Sequence, residues 1–410
     1  MMIISIINVG NEVLDGDVLN SNAQFLSREL YTIGHEVKYH SVCQDHYEDI
    51  FSVLEFFTKK SDLIVLTGGL GPTKDDMTKE VLADFLNREL VLNKDVLKDI
   101  KNKFKEFGKK MTDNNIKQAY VIKDAKILFN SKGTAPGFIV KSDKCDYVLL
   151  PGPPREMKHL FEKYVKGFVN KDNSLRMESK VIKIAGVGES TLDSEIEDLI
   201  QQDGIYVGTY SKRGEVRVKI TTSQGNNILN STKNKIVERF KDHVVSFSHK
   251  ETYISLCEHL IENNISISTA ESCTGGLLSS KIVENPGISK IYFGSFITYS
   301  NGMKETELGV HKESISNFGA VSAVVAKEML FGLFNKTNTD ICIAITGVAG
   351  PNGGTENKPV GRVYIGFKIF DEILITENNF RGNRNEIREQ SVNKVFNVLS
   401  KKIIIDNWEQ

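Results

Sequence analysis

The stretch Asp62-Leu63-Ile64-Val65-Leu66 is apolar at four successive positions and runs into Thr67-Gly68-Gly69-Leu70-Gly71-Pro72. An apolar run without polar alternation suits a strand covered on both faces, as in parallel sheets with helices above and below. The flanking pattern agrees. Ile3 to Val9 reads as a strand and Ala23 to Ile33 as a helix closed by Gly34. His35 to Val42 reads as a strand leading to Asp45, and Ile50 to Phe57 as a helix. Strands alternate with helices, so the N-terminal part is expected to be α/β, a three-layer αβα domain.

In open α/β sheets, ligands bind at the carboxyl ends of the strands. The loop Thr67 to Thr78 lies at such an end: Gly68, Gly69 and Gly71 let the backbone approach a bulky anion, while Asp75 and Asp76 offer hard oxygens to a divalent cation. Glu12 and Asp45 each follow their own strand onto the same edge. Glu156 follows the strand Tyr147 to Leu150 and the turn Pro151-Gly152-Pro153-Pro154. The loop is neither a Walker A loop nor a G-x-G-x-x-G turn. Glycines also make plain turns and acidic residues also start helices, so both readings stay open for this loop alone.

A second strand, Ile265 to Ala270, leads through Glu271-Ser272-Cys273-Thr274-Gly275-Gly276 into a helix, Leu277 to Glu284. Backbone N–H groups at such a turn have no helical partner, which favours a nucleophile or an anion there. The hydroxyl of Ser272 needs a base, and the next polar cluster, Tyr299-Ser300-Asn301-Gly302-Met303-Lys304, supplies Tyr299 and Lys304 but no His. Helix capping by Ser268, Ser272 and Thr274 is the competing reading. After the strand Asp340 to Thr346 comes a glycine-rich loop, Gly347 to Gly354, which can present several N–H groups to a phosphate. Phe380-Arg381-Gly382-Asn383-Arg384 opens the last helix, where Arg384 and Arg388 supply fixed positive charge to a phosphate or solvate a surface.

Between these parts, Lys180 to Phe247 has the order β-α-β-β-α-β of a small ferredoxin-like or KH-like α+β module. Lys212-Arg213-Gly214 reads as its hairpin turn, a patch of solvated charge, and no inward polar residue is expected there. Between Lys166 and Met177 the chain turns polar, with Asn170 to Ser174 at its centre, and reads as a linker.

At 410 residues the chain has room for three cores. Lys and Arg number 52 against 53 Asp and Glu, so no global field attracts nucleic acid or anionic lipid, and small ligands are expected. Five scattered cysteines without a C-x-x-C pair argue against a disulfide framework or a structural zinc and for a reducing, cytoplasmic location. No apolar run reaches the roughly 18 residues of a membrane span, and the N-terminus reads as a first strand, not a leader.

Through these motifs the whole chain resembles the CinA family of competence/damage-inducible proteins and nicotinamide-nucleotide amidohydrolases. The resemblance implies a molybdopterin-binding, MoaB/MogA-like domain over residues 1–170, a KH-like module over 177–248 and an α/β amidase domain over 251–410. It implies Ser272 as nucleophile with Tyr299 and Lys304 as the proton-transfer pair, hydrolysing the carboxamide of nicotinamide mononucleotide without a cofactor. Substrate contacts are implied for Glu271, Thr274, Gly275, Gly276, Asn301, Thr346, Gly347, Gly350, Gly353, Gly354 and Arg384. For the N-terminal domain it implies ADP-ribose pyrophosphatase activity with a divalent metal (Mg, Mn or Co) on Asp45, Asp75 and Asp76, and ligand contacts from Glu12, Asn22, Gly68, Gly69, Gly71, Thr73 and Glu156. A homodimer is expected, with no membrane or nucleic-acid partner.

The sequence departs from the family pattern twice. Asn20-Ser21-Asn22 stands where Asp-Thr-Asn is usual, and Asn383 stands where Asp is common. Two other classes of function compete: a scaffold in DNA uptake, which the neutral charge opposes, and a pterin or nucleotide binder acting through the N-terminal domain alone.

Overall fold

The computed structural model of the chain describes residues 2–170 and 178–406. The chain divides into two compact units, Met1–Glu178 and Ser179–Gln410. Of the expected linker, Lys171 to Ser174 lie outside the described residues, as does Met177 at the expected start of the middle module.

The first unit is built on a six-stranded sheet in the order Glu36–Cys43, Ile3–Val9, Leu63–Thr67, Asp146–Leu150, Gly137–Val140, Lys126–Leu128. The first four strands are parallel, and Gly137–Val140 runs against both of its neighbours. The period of two along Leu63 to Leu66 feeds two separate cores. Leu63 and Val65 pack on one face with Leu26, Leu30 and Met157, while Ile64 and Leu66 pack on the other with Ile50, Leu54 and Val81. All four are fully buried, each contributing about 1.5–3 kcal/mol relative to exposure. Helices Ser21–Thr32 and Pro154–Leu160 cover the first face, Tyr47–Thr58 and Thr78–Phe85 the second, giving the three-layer αβα arrangement. A helix, Lys94–Glu106, and a small antiparallel pair, Leu90–Leu92 with Tyr120–Ile122, add to the second face.

The second unit contains two sheets. Tyr206–Lys212, Glu215–Thr222, Glu178–Ile184 and Val244–Ser246 form a four-stranded sheet in that order. With helices Glu189–Glu195, Glu197–Ile200 and Asn226–Arg239 it makes the KH-like β-α-β-β-α-β module, its first helical segment broken in two. The expectation of no inward polar residue fails here. Lys183 is completely buried; its Nζ donates to the Thr252 hydroxyl at 3.2 Å and to the Lys250 carbonyl, and lies 3.8 Å from the Glu215 carboxylate. A buried cation needs such partners; the carboxylate comes from the module's own strand Glu215–Thr222, and the carbonyl and hydroxyl from the segment entering the C-terminal domain.

The C-terminal sheet runs Tyr292–Ile297, Ile267–Glu271, Ile341–Gly347, Arg362–Ile369, Glu372–Asn379. Its first three strands are parallel and its last two antiparallel. Ile341, Ile343 and Ile345 face a core shared with the last helix, Arg384–Ser400, whereas Cys342 and Ala344 face one shared with Ala323–Thr337. Among the described residues no helix is long and apolar enough to cross a membrane. The five cysteines are all free and buried.

Candidate active site

Parallel pairing places Glu271 beside Ile297 and Ile345, so the turn after each strand opens on one sheet edge. Ser272 is the first residue past its strand; its N–H donates to the Ile345 carbonyl at 3.0 Å, which fixes the backbone at the nucleophile position. Gly275 and Gly276 take left-handed φ values of 56° and 89°, which lets the chain reverse into the helix Leu277–Val283. Helix Asn301–Leu308 starts beside this turn, capped by the Ser300 hydroxyl accepting from the Met303 N–H at 3.2 Å. One turn into it, Lys304 points back over the sheet edge.

Lys304 is 1% exposed. Its Nζ lies 3.0 Å from Ser272 Oγ and donates to the carbonyls of Thr298 at 2.8 Å and Tyr299 at 3.4 Å. Burial lowers its pKa from the ordinary lysine value, since desolvation penalises the ammonium. Ser272 is also buried, at 8% exposure. The neighbouring thiol of Cys273 is pushed up to about 12, first by burial and then by the Glu271 charge, and so stays protonated and a poor nucleophile.

Several of the residues expected at the substrate have partners within the chain itself. Glu271 is fully buried, and its carboxylate accepts from the amides of Gly276 at 3.0 Å, Leu278 at 3.2 Å and Ser279 at 2.8 Å. It serves the unpaired donors of the helix start in place of a ligand. Thr346 is likewise buried, donating to the Ala320 carbonyl at 2.8 Å. The amide of Gly275 is taken by the Ser272 carbonyl at 3.0 Å. Among the described residues the amides of Cys273 and Thr274 donate to no backbone carbonyl, the Cys273 amide facing only its own thiol, and they are the candidate donors for an oxyanion. The buried hydroxyls of Thr274 and Thr298 also lack partners.

Tyr299 departs from its expected role. Its ring is 59% exposed and its hydroxyl accepts from Arg384 at 2.8 Å, so only its backbone carbonyl touches Lys304. Arg384 also donates to the Gly350 carbonyl at 2.6 Å, tying the Gly347 to Gly354 loop to the site. Gly350 and Gly353 take φ values of 78° and 88°, and Gly354 lies in the exposed part of the same loop. An added Cβ at Gly347 would meet Val363 Cγ2 at 2.6 Å, so strand packing accounts for that glycine. Asn301 is exposed at the helix start. Sequence reasoning missed how Arg388 works: its Nε and Nη2 both donate to the Thr274 carbonyl, at 3.2 and 2.8 Å, bracing the turn behind Ser272.

In the first unit, Glu12, Asp45, Gly68, Gly69, Gly71, Asp75, Asp76 and Glu156 line one cavity of about 390 Å³. Gly68 has φ 106°, and a Cβ there would lie 2.0 Å from the Val9 carbonyl oxygen, so only glycine fits. Asp45 has a pKa raised by burial and by the charges of Glu12, Asp75 and Asp76. Glu156 is raised by burial and held by Asn130 Nδ2 at 2.6 Å. Asn22 and Thr73 stand apart from this wall. Asn22 donates to Thr67 Oγ1 at 3.1 Å and the Gly152 carbonyl at 2.7 Å, and lines an adjacent cavity of about 280 Å³. Thr73 donates from its N–H and hydroxyl to Asp76 Oδ2, and its hydroxyl to Asp75.

The expected metal ligands Asp45, Asp75 and Asp76 thus share one cavity wall. Among the described residues no three His, Cys, Asp or Glu side chains are placed to hold a metal ion together, and one Asp76 oxygen accepts from the Thr73 N–H of its own loop. What the cavity does supply is carboxylate oxygen beside glycine-rich backbone, a donor set that fits a hard cation arriving with substrate phosphates better than a resident one. Asn20, where the family has Asp, caps Ser21–Thr32 through Ala23 N–H at 3.0 Å and bonds Asn8 at 3.0 Å.

Three family models match successive parts of the chain: "Probable molybdopterin binding domain" over residues 5–171, "Damage-inducible protein CinA KH domain" over 179–246 and "CinA C-terminal domain" over 250–403. A "Putative competence-damage inducible protein" of Clostridium botulinum is 41% identical over 404 residues, covering 97% of this chain and 99% of its own. The chain belongs to the CinA family. A "CinA-like protein" of Dictyoglomus turgidum is 41% identical over 389 residues, covering 93% of this chain and 95% of its own. Among solved structures, a CinA protein of unknown function from Thermoplasma acidophilum is 35% identical, covers 40% of this chain and 96% of its own, and has a TM-score of 0.38. In this CinA-family chain the site around Ser272 lies within the segment matched by the C-terminal family model.

Proposed function

We propose that the C-terminal site hydrolyses the carboxamide of nicotinamide mononucleotide, giving nicotinate mononucleotide and ammonia. The observation that carries this reading is the buried Lys304 amine 3.0 Å from the Ser272 hydroxyl. A neutral amine there takes the proton as Ser272 Oγ attacks the carboxamide carbon. The amides of Cys273 and Thr274 stabilise the oxyanion, and the Lys304 ammonium returns its proton to the leaving ammonia. Water then cleaves the acyl-serine by the same route in reverse. Tyr299, Arg384 and the Gly347 to Gly354 loop surround the mouth, where they meet the phosphate end of the nucleotide. Ammonia release by the purified chain tests the reading, with loss in Ser272→Ala expected.

A second reading is favoured by the carboxylate-lined cavity of the first unit: hydrolysis of the diphosphate of ADP-ribose. Carboxylate oxygens of the expected set Asp45, Asp75 and Asp76, together with the substrate's own phosphate oxygens, would hold a divalent cation there, which would supply charge neutralisation on the bridging phosphates. Gly69 and Gly71 offer close backbone approach to the diphosphate, and Glu156 remains held by Asn130 at the cavity wall. A reducing cytoplasm suits five free cysteines, and a homodimer is proposed on family grounds alone.

A further inference from the structure

The last helix carries two polar stripes that serve different parts of the second unit. Arg384 and Arg388, four residues apart, brace Tyr299, the Gly350 carbonyl and the Thr274 carbonyl around the candidate site. The second stripe, Glu386, Glu389, Asn393, Asn397 and Ser400, has the three-and-four spacing of one helix face. Every member of it bonds the KH-like module. Arg213 Nη2 donates to Glu386 at 2.6 Å and Nη1 to Glu389 at 2.5 Å. Asn393 donates to the Arg213 carbonyl at 3.0 Å, Asn397 to the Gly214 carbonyl at 3.1 Å and Ser400 to the Val245 carbonyl at 2.5 Å.

The hairpin tip is shaped for this seat. Gly214 has φ 90°, and a Cβ there would come within 3.3 Å of Asn393 Cβ. Glu386 links the two stripes, because its other oxygen accepts from the Asn383 N–H at 2.8 Å and closes the helix's capping box. Arg213 thus grips the first turn of the helix from which Arg384 projects.

We infer that the KH-like module holds the amidase site in register through its hairpin, with Arg213 as a positioning residue acting through Glu386 and Glu389 on Arg384 and Arg388. The expectation that Lys212-Arg213-Gly214 is only solvated charge is replaced by this seat; Lys212 too is engaged, by Glu251. Half-exposed ion pairs add little to folding on their own, so the expected consequence is on site geometry more than on stability.

The kinetic test rests on the amidase reading of Ser272, and a second measurement does not. In the full-length chain, Arg213→Ala should lower kcat/KM for ammonia release from nicotinamide mononucleotide about tenfold, the scale of coupling through a contact network. Arg213→Lys should restore part of it, and the double variant Arg213→Ala/Glu389→Gln should be no worse than Arg213→Ala alone. Hydrogen–deuterium exchange of Arg213→Ala should quicken across residues 271–279 and 383–388. Wild-type kcat/KM and unchanged exchange in Arg213→Ala overturn the proposal. If the wild type releases no ammonia, the amidase reading fails, and exchange alone decides: faster supports the positioning role, unchanged removes it.

Discussion

Lys304 Nζ and Ser272 Oγ lie 3.0 Å apart although 32 residues separate them in the chain. Parallel pairing of Ile267–Glu271 with Tyr292–Ile297 sets Glu271 opposite Ile297, so both strands end at one level. Ser272 and Thr298 then leave the sheet side by side, and the Ser300-capped helix returns Lys304 over them. The carbonyls of Thr298 and Tyr299 orient the amine. The contact therefore follows from strand register and a helix cap, without any flexible segment.

The rate of ammonia release should rise with pH. Lys304 serves as a base only when neutral, and burial lowers its pKa, so the protonated, inactive form dominates only below that lowered value. The kcat/KM profile should climb and level off at a pH below the ordinary lysine value of about 10.4. An inflection at or above that value contradicts the assignment.

Glu271→Ala should act on stability more than on substrate affinity. Removing the carboxylate leaves the amides of Gly276, Leu278 and Ser279 without their acceptor, at a cost of about 2–4 kcal/mol, read by denaturant unfolding. A variant with unchanged stability and a strongly raised KM would return Glu271 to the substrate.

Gly68→Ala should destabilise the first unit by about 3 kcal/mol or more, since the added methyl meets the Val9 carbonyl in a left-handed backbone. Gly16→Ala, with φ 81° and open space around it, should cost only about 1 kcal/mol. Thermal unfolding of both variants checks the contrast, and equal losses would remove the steric argument.

Much of the fold is legible because burial and periodicity coincide. The unbroken apolar run at Leu63 to Leu66 announces a strand covered on both faces, and both faces are covered. The helix Lys94–Glu106 and the strand Glu372–Asn379 carry no such signal, for a physical reason. The helix keeps Val96 and Ile100 on one narrow buried face amid charge, and the strand buries none of its residues fully. At the site, the juxtaposition of Ser272 with Lys304 was readable from residue type. The parts of Glu271 and Thr346 were not, because polar residues beside a turn look alike whether they serve ligand or backbone. Arg213 was misread for the same reason: a charged hairpin tip carries no local sign of the Glu386 and Glu389 carboxylates that receive it from 173 and 176 residues away.

Cation binding in the first unit should depend on the nucleotide. Titrated with Mn²⁺, the chain should bind weakly alone and at least about tenfold more tightly with ADP-ribose, because among the described residues no three side chains form a ready cage. Asp45→Asn should reduce the nucleotide-dependent gain. Equally tight binding without nucleotide would restore a resident metal.

Ser272, not Cys273, should be the nucleophile activated by Lys304. Ammonia released from nicotinamide mononucleotide should be followed for the wild type, Ser272→Ala, Lys304→Ala and Cys273→Ala. The first two variants should lose at least about a hundredfold in kcat, while Cys273→Ala, whose thiol is held protonated, keeps its activity. Full activity in Ser272→Ala, or loss confined to Cys273→Ala, would contradict it.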